Sequence, residues 1–354
     1  MAIYLSHGGT TVYDSANPSD ELWVGTVAGI FKLRKDHSHG WAVSGKALEG
    51  LHIHCLVREP GSGLLFAGAH KGSLHVSRDA GETWEHRDHG LTKRDIYCLS
   101  TAQVGGRVKL YVGTDPAHLF ESDDLGESWK EVPALRDAPN ASKWFFPAPP
   151  HFGHVKNVAV DFSNPKIIYA CIEQGGLLKS EDGGGSWQEL QGFDDDVHRL
   201  VISPSNTKHL YLSTRMGLLE SMNAGKSWEP LSMDGSRIGY PDALLLHPKR
   251  ENLMFTAGSS TRPPFWLKEH TADSKIARSR DGGKNWELVR NGLPEQIRGN
   301  IEAMAMDIYN GSFSLFAGTT DGEVFASGDE GDSWTKIATG LPPISKAHHY
   351  LIIR

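Results

Sequence analysis

The sequence predicts an all-β protein, a single seven-bladed β-propeller spanning residues 1–354, with four-stranded antiparallel blades. Three observations predict it. A box of the form Ser-x-Asp-x-Gly-x-Ser/Thr-Trp recurs six times, as SRDAGETW, SDDLGESW, SEDGGGSW, SMNAGKSW, SRDGGKNW and SGDEGDSW. The box tryptophans, Trp84 to Trp334, lie 45, 58, 41, 58 and 48 residues apart, a spacing in the range of propeller blades. Each box also follows the same series of short apolar segments punctuated by glycine, which reads as strand, tight turn, strand.

The elements follow in chain order. LWVGTVAGIFKLRKDHSHGWAV has the B–C–D pattern of a blade that lacks a box, with Trp41 one repeat before Trp84. Inner strands are then expected at IHCLV, IYCLS, VKNVAV, VHRLVI, DALLLH and IEAMAM, each followed by a B–C hairpin, a box and a short outer strand such as WTKIA. Asn223 replaces the box Asp in one copy, and Asn285 replaces Ser/Thr in another. The box residues have a structural explanation: glycine permits positive φ, Asp and Ser/Thr oxygens accept from turn amides, and Trp packs between sheets. Strands from both chain ends are expected to close the ring, with TTVYD and HHYLIIR competing for the inner position. Closure removes exposed sheet edges.

These boxes resemble those of the BNR/Asp-box β-propellers, a superfamily that includes sialidases, sortilin-type receptors, xyloglucanases and photosystem assembly factors. The resemblance covers nearly the whole chain and implies fold rather than function, since one fold hosts many functions. A sialidase would bring an Arg-Ile-Pro motif near the N-terminus and six blades. The nearest segment here is Arg58-Glu59-Pro60 and the units number seven, so sialidase activity is not expected. A single propeller lacks the two-propeller cleft of xyloglucanases, and no export signal or lipid anchor of the assembly-factor kind is read at MAIYLSHGGTTVYD.

Composition narrows the partners. The net charge is −7 without a Lys/Arg cluster, which argues against nucleic acid. No run of 18 apolar residues occurs, so no membrane partner is expected. Three cysteines, Cys55, Cys98 and Cys171, are too few for a disulfide framework and fit a cytoplasmic setting.

The candidate site comes from aligning the inner strands. One column reads His54, Tyr97, Lys156, His198, Asp242, Glu302 and, were the C-terminal segment an inner strand, His349. Two residues earlier stand His52, Asp95, His154, Asp196, Tyr240 and Asn300. Inner strands of a propeller enter at one mouth of the axial channel, so these polar groups are expected to converge there. Two insertions, KWFFPAPPHFGH within 136–154 and TRPPFWLKEH within 259–278, should wall the mouth with aromatics, Trp144, Phe146 and Trp266 among them. Short B–C loops add His70, His118, Glu173 and Arg215, and Arg262 is a candidate for an anionic substrate.

A polar floor beneath aromatic walls suits a small polar or anionic molecule or a glycan. The first expectation is therefore a hydrolase or lyase with His54, Tyr97, Lys156, His198, Asp242 and Glu302 as its catalytic groups. His154, Trp144, Phe146, Arg215, Arg262 and Trp266 would hold the substrate. The chemistry runs either through a divalent metal such as zinc on His54, His198 and His349, or through metal-free acid–base catalysis. The alternative is a non-catalytic propeller that binds a protein or glycan. Oligomeric state is not legible in the sequence.

Overall fold

A computed structural model describes residues 1–36, 38–346 and 349–352. The chain is a seven-bladed β-propeller with four-stranded, mostly antiparallel blades. It divides into two compact units, residues 1–56 with 231–354, and residues 57–230.

In the first unit, the first sheet runs in the order Ile3–Leu5, Glu21–Thr26, Gly29–Asp36, Gly40–Ala47. The sixth runs Tyr240–Leu246, Met254–Ser259, Lys275–Ser279, Glu287–Val289. The seventh runs Val12–Asp14, Ile301–Tyr309, Ser312–Thr319, Val324–Ser327, Thr335–Ala338. Phe255, Met306, Phe313 and Trp334 form one apolar cluster of this unit.

In the second unit, the third sheet starts at the strand Ile96–Val104, the fourth at His154–Val160 and the fifth at Val197–Ile202. Val155, Ile168, Ile172 and Trp187 are buried together there. This unit also holds the strands Leu65–His70, Ser73–Ser77 and Glu85–His86 of the second sheet.

Closure differs from the expectation. Ile3–Leu5 pairs in parallel with Leu22, Trp23 and Val24, so the first sheet takes its inner strand from the N-terminus itself. TTVYD supplies Val12–Asp14, which pairs in parallel with Met306–Ile308 as a fifth strand of the seventh sheet. Tyr13 ties the two N-terminal strands by donating its hydroxyl to Tyr4 O at 2.8 Å and Thr10 O at 2.9 Å. The C-terminal segment gives no inner strand: His349–Ile352 is a short helix. Ile3–Leu5 takes the inner position of the first sheet, and Ile301–Tyr309 serves as the inner strand of the seventh, with Val12–Asp14 added beside it.

The boxes fold as their residue types dictate. In the first, Ser77 Oγ donates to Asp79 Oδ1 at 2.8 Å and accepts from Gly81 N at 2.6 Å. Asp79 also accepts from Thr83 N at 2.9 Å and from Thr83 Oγ1 at 2.5 Å. The two irregular copies keep the pattern by amide substitution. Asn223 Nδ2 donates to Ser227 Oγ at 2.8 Å, and Asn285 Nδ2 to Asp281 Oδ2 at 2.7 Å. Hydrogen bonds from Ser186 hold Asp182 at a pKa of about 2, and those from Asn285 do the same for Asp281. The box Trp129 donates its N–H to Arg87 O at 2.7 Å. At Trp84, Trp187, Trp228, Trp286 and Trp334 the buried N–H has no partner among the described residues.

Candidate functional site

The polar column sits on a repeated backbone irregularity. The inner-strand ladder shifts register between Ile96 and Cys98, Val155 and Asn157, Val197 and Arg199, Pro241 and Ala243, and Ile301 and Ala303. The residue skipped each time is the column residue: Tyr97, Lys156, His198, Asp242 or Glu302. A bulge removes one residue from the ladder and re-aims its side chain. Gly258 makes room for the bulge in the sixth sheet, since a Cβ there would lie 2.1 Å from Tyr240 O.

In the second unit, Glu173 organises a buried cluster. His154 Nε2 lies 2.5 Å from its Oε2, Lys156 Nζ donates to its Oε1 at 2.9 Å, and the Tyr97 hydroxyl lies 3.4 Å from Oε2. Tyr97 stacks on the His154 ring at 3.9 Å, and Phe146 meets the same ring edge-on at 4.9 Å. His198 Nε2 lies 3.4 Å from Asp196 Oδ1. Burial works to raise the Asp196 carboxyl, but the hydrogen bond and charge of His198 outweigh it, so the group sits below its ordinary value.

In the first unit, Asp242 and Glu302 form a second buried cluster. Asn300 Nδ2 donates to Asp242 Oδ2 at 2.7 Å and lies 3.3 Å from Glu302 Oε1. Lys346 Nζ donates to Asp242 Oδ1 at 2.5 Å, and the Lys346 backbone N–H to Glu302 Oε2 at 2.7 Å. His349 Nδ1 lies 2.7 Å from Glu302 Oε1. His54, also in this unit, packs against His52 at 4.4 Å and His7 at 5.0 Å between ring centroids.

The column residues thus fall into two sets, Tyr97, Lys156 and His198 with His154 and Glu173, and Asp242 and Glu302 with His349, while His54 lies in neither and packs with His52 and His7. The sequence reading had no place for Lys346. It lies beyond the last repeat, where no periodicity marks a position, and no sequence signal points to it.

The other candidates separate by exposure. Trp266 does not wall an opening: it is fully buried in the helix Pro263–Glu269, edge-on to Tyr240 and His349, with its N–H on Thr261 O at 2.7 Å. The run of apolar and helix-forming side chains lets the insertion curl inward and bury that ring, while Phe265 and Leu267 stay exposed. Arg262 is exposed at the start of that helix. Arg215 Nε donates to Asp194 Oδ2 at 3.0 Å. Trp144 follows a 3-10 turn, Ala141–Lys143, and lines a cleft of about 440 Å³ in the second unit with Pro116, Ala117, His118, Arg136 and Phe152. Its N–H donates to Asn140 Oδ1 at 3.1 Å, and Asn140 Nδ2 in turn to Gly175 O at 2.8 Å, which fixes the indole. A larger cleft of about 870 Å³ in the first unit, between Arg237, Lys275 and Arg290, contains none of the column residues.

Two groups of donors have metal-ligand spacing, with ligand atoms within 4.8 Å of one another: Glu173, Asp196 and His198, and Asp242, Glu302 and His349. His198 and His349 thus each find carboxylate neighbours, and His54 is in neither group. In both groups a lysine ammonium already rests on a carboxylate, Lys156 on Glu173 and Lys346 on Asp242, and supplies the charge compensation a cation would bring.

Residues 175–293, roughly a third of the chain, match the Sortilin-Vps10 family model, described as sortilin, neurotensin receptor 3. No curated protein matches the sequence. An ancestral GH74 enzyme is similar in structure with a TM-score of 0.62 and 18% identity, over 81% of this chain and 38% of the enzyme. YCF48 bound to D1 peptide is similar with a TM-score of 0.52 and 17% identity, over 92% of this chain and 88% of that one. The extracellular domain of the putative hybrid two-component system BT3049 from B. thetaiotaomicron gives 0.54 and 13%, over 96% and 41%. The likeness is one of fold, a seven-bladed β-propeller, and the chain spans well under two thirds of the enzyme's length.

Proposed function

We propose that the protein is a non-catalytic propeller that binds an extended peptide in the aromatic cleft around Trp144. The observation that carries this reading is the burial and mutual pairing of the expected acid–base groups. Lys156, His198, Asp242 and Glu302 are each at most 6% exposed and held by a neighbour of complementary charge or polarity. A general acid or base must reach its substrate within hydrogen-bond distance. The Trp144 cleft, by contrast, is open and preorganised. It offers the Trp144 and Phe152 rings, the apolar floor of Pro116 and Ala117, and the half-exposed Arg136, whose Nε is held by Glu131 at 2.9 Å. The remaining guanidinium N–H groups can meet peptide carbonyls or a carboxylate. YCF48, similar over most of both chains, is seen bound to a D1 peptide.

The reading carries the charge and cysteine expectations with it: a peptide rather than nucleic acid as partner, and a reducing compartment. Cys98 and Cys171 are buried thiols pushed up to about 12 by burial, which suits inert core positions. Selection of peptides from a random displayed library is the test. Selected peptides should bind the wild-type protein and lose about tenfold or more in affinity on Trp144→Ala. Selection that yields no peptide, or peptides indifferent to Trp144→Ala, would contradict the reading.

A hydrolase reading has one observation in its favour, the Asp242 and Glu302 carboxyls sharing Asn300 on adjacent inner strands, the type of pair that glycoside hydrolysis uses. Turnover of a β-glucan by the wild-type protein, lost in Glu302→Gln, would establish it over the binding reading.

A further inference from the structure

We propose that Tyr240, Asp242, Asn300 and Glu302 form a binding site for a primary ammonium group, which the C-terminal tail fills in cis with Lys346. The proposal is independent of the Trp144 cleft. The receptor side comes from the propeller: Tyr240 and Asp242 lie on the inner strand Tyr240–Leu246, and Asn300 and Glu302 at the start of the inner strand of the seventh sheet. Bulges at Asp242 and Glu302 take both out of their ladders. Asn300 donates toward both carboxylates and so fixes their separation.

The occupant comes from elsewhere. Lys346 follows the last strand, Thr335–Ala338, and belongs to no sheet. Lys346 is nonetheless 1% exposed, and its ammonium lies 2.5 Å from Asp242 Oδ1 and 6.0 Å from the centre of the Tyr240 ring. A carboxylate together with an aromatic face is the chemistry that selects an alkylammonium. The Lys346 backbone N–H on Glu302 Oε2 adds a contact that any peptide carrying a lysine can reproduce.

Two like-charged buried carboxyls on adjacent strands need a cation close by, because burial disfavours both charges and each disfavours the other. A cation delivered by a tail rather than by a strand can be exchanged without dismantling a blade. The tail is held by contacts other than a strand ladder, among them Val27 N donating to Pro343 O at 2.9 Å and His349 Nδ1 lying 2.7 Å from Glu302 Oε1. Leu341 N donates to Gly322 O at 3.2 Å and Ile344 N to Thr319 O at 3.1 Å. His52 Nε2 lies 2.8 Å from Ser345 O. Release of these contacts would open the site to a lysine side chain or amino terminus of a partner, or to a small amine. A divalent cation is the competing occupant, since Asp242, Glu302 and His349 have ligand spacing.

Thermal unfolding of full-length Lys346→Ala tests this, with n-butylammonium, n-butanol and Zn²⁺ as separate probes. Butylammonium should raise the variant's Tm saturably by about 2–4 °C, butanol should not, and the rise should vanish in Lys346→Ala/Asp242→Asn. A labelled peptide of this chain's residues 341–354 should bind Lys346→Ala about tenfold or more tighter than wild type, and its lysine-to-alanine version should not. Preference for the peptide over butylammonium would mark a peptide lysine as the ligand; preference for butylammonium would mark a small amine. If Lys346→Ala does not fold, hydrogen exchange on the wild-type protein serves: butylammonium, but not butanol, should speed exchange at Ile344 and Ser345. A Tm rise with Zn²⁺ alone, or no response in both the variant and the exchange experiment, overturns the proposal.

Discussion

At the scale of single residues, Lys346 forms a buried ion pair with Asp242 in the first unit. Replacing it with Met removes the ammonium from Asp242 while filling the same volume, and one partner of a buried ion pair is then left charged. Lys346→Met should cost about 3–5 kcal/mol in urea unfolding, and adding Asp242→Asn should restore part of that loss. A cost under about 0.5 kcal/mol would show that the pair is not the local charge balance described. Lys346 was not legible in the sequence because nothing in a tail outside the repeats fixes where a side chain goes. The column residues were legible for the opposite reason: His198, Asp242 and Glu302 interrupt apolar strands at equivalent places. Trp266 was misplaced because an aromatic in an insertion can face solvent or core with equal sequence logic. Only the packing against Tyr240 and His349 decides it.

At the scale of elements, the bulges and the boxes carry separate consequences. The bulges were not legible, since one extra residue in a strand leaves composition and spacing almost unchanged. Gly258→Ala would drive a Cβ into Tyr240 O and should destabilise the protein by about 1–3 kcal/mol, read from the urea midpoint. A neutral result would mean that the sixth sheet yields easily at its bulge. The boxes were legible residue by residue, and they set an acid limit. Asp182 and Asp281 have folded pKa values of about 2, below the ordinary carboxylate range. Their stabilising effect is therefore complete above about pH 4 and lost as the pH falls from there toward 2. The melting temperature followed by circular dichroism should drop across that window, and Asp182→Asn should lessen the drop. A melting temperature flat down to about pH 2 would contradict the hydrogen-bonding role of the box carboxylates.

At the scale of the whole molecule, the six boxes and their spacing were enough to read a seven-bladed propeller, because each repeat is a supersecondary unit that cannot bury its face alone. Closure was harder to read. Short N-terminal segments, Ile3–Leu5 and Val12–Asp14, join the first and seventh sheets through parallel pairs too brief to show periodicity. Function was less legible still, since burial decides whether a polar column is catalytic or structural, and burial is not written in a strand's residue types. No helix among the described residues is long and apolar enough to cross a membrane. The central claim, a peptide held at the Trp144 cleft, is tested most directly by calorimetric titration of a selected peptide into wild type, Trp144→Ala, Phe152→Ala and Phe162→Ala. Phe162 is 61% exposed and does not line the cleft, which makes it the control. The expected result is a loss of about tenfold or more for Trp144→Ala and Phe152→Ala and none for Phe162→Ala. Equal affinity for all four proteins would contradict it.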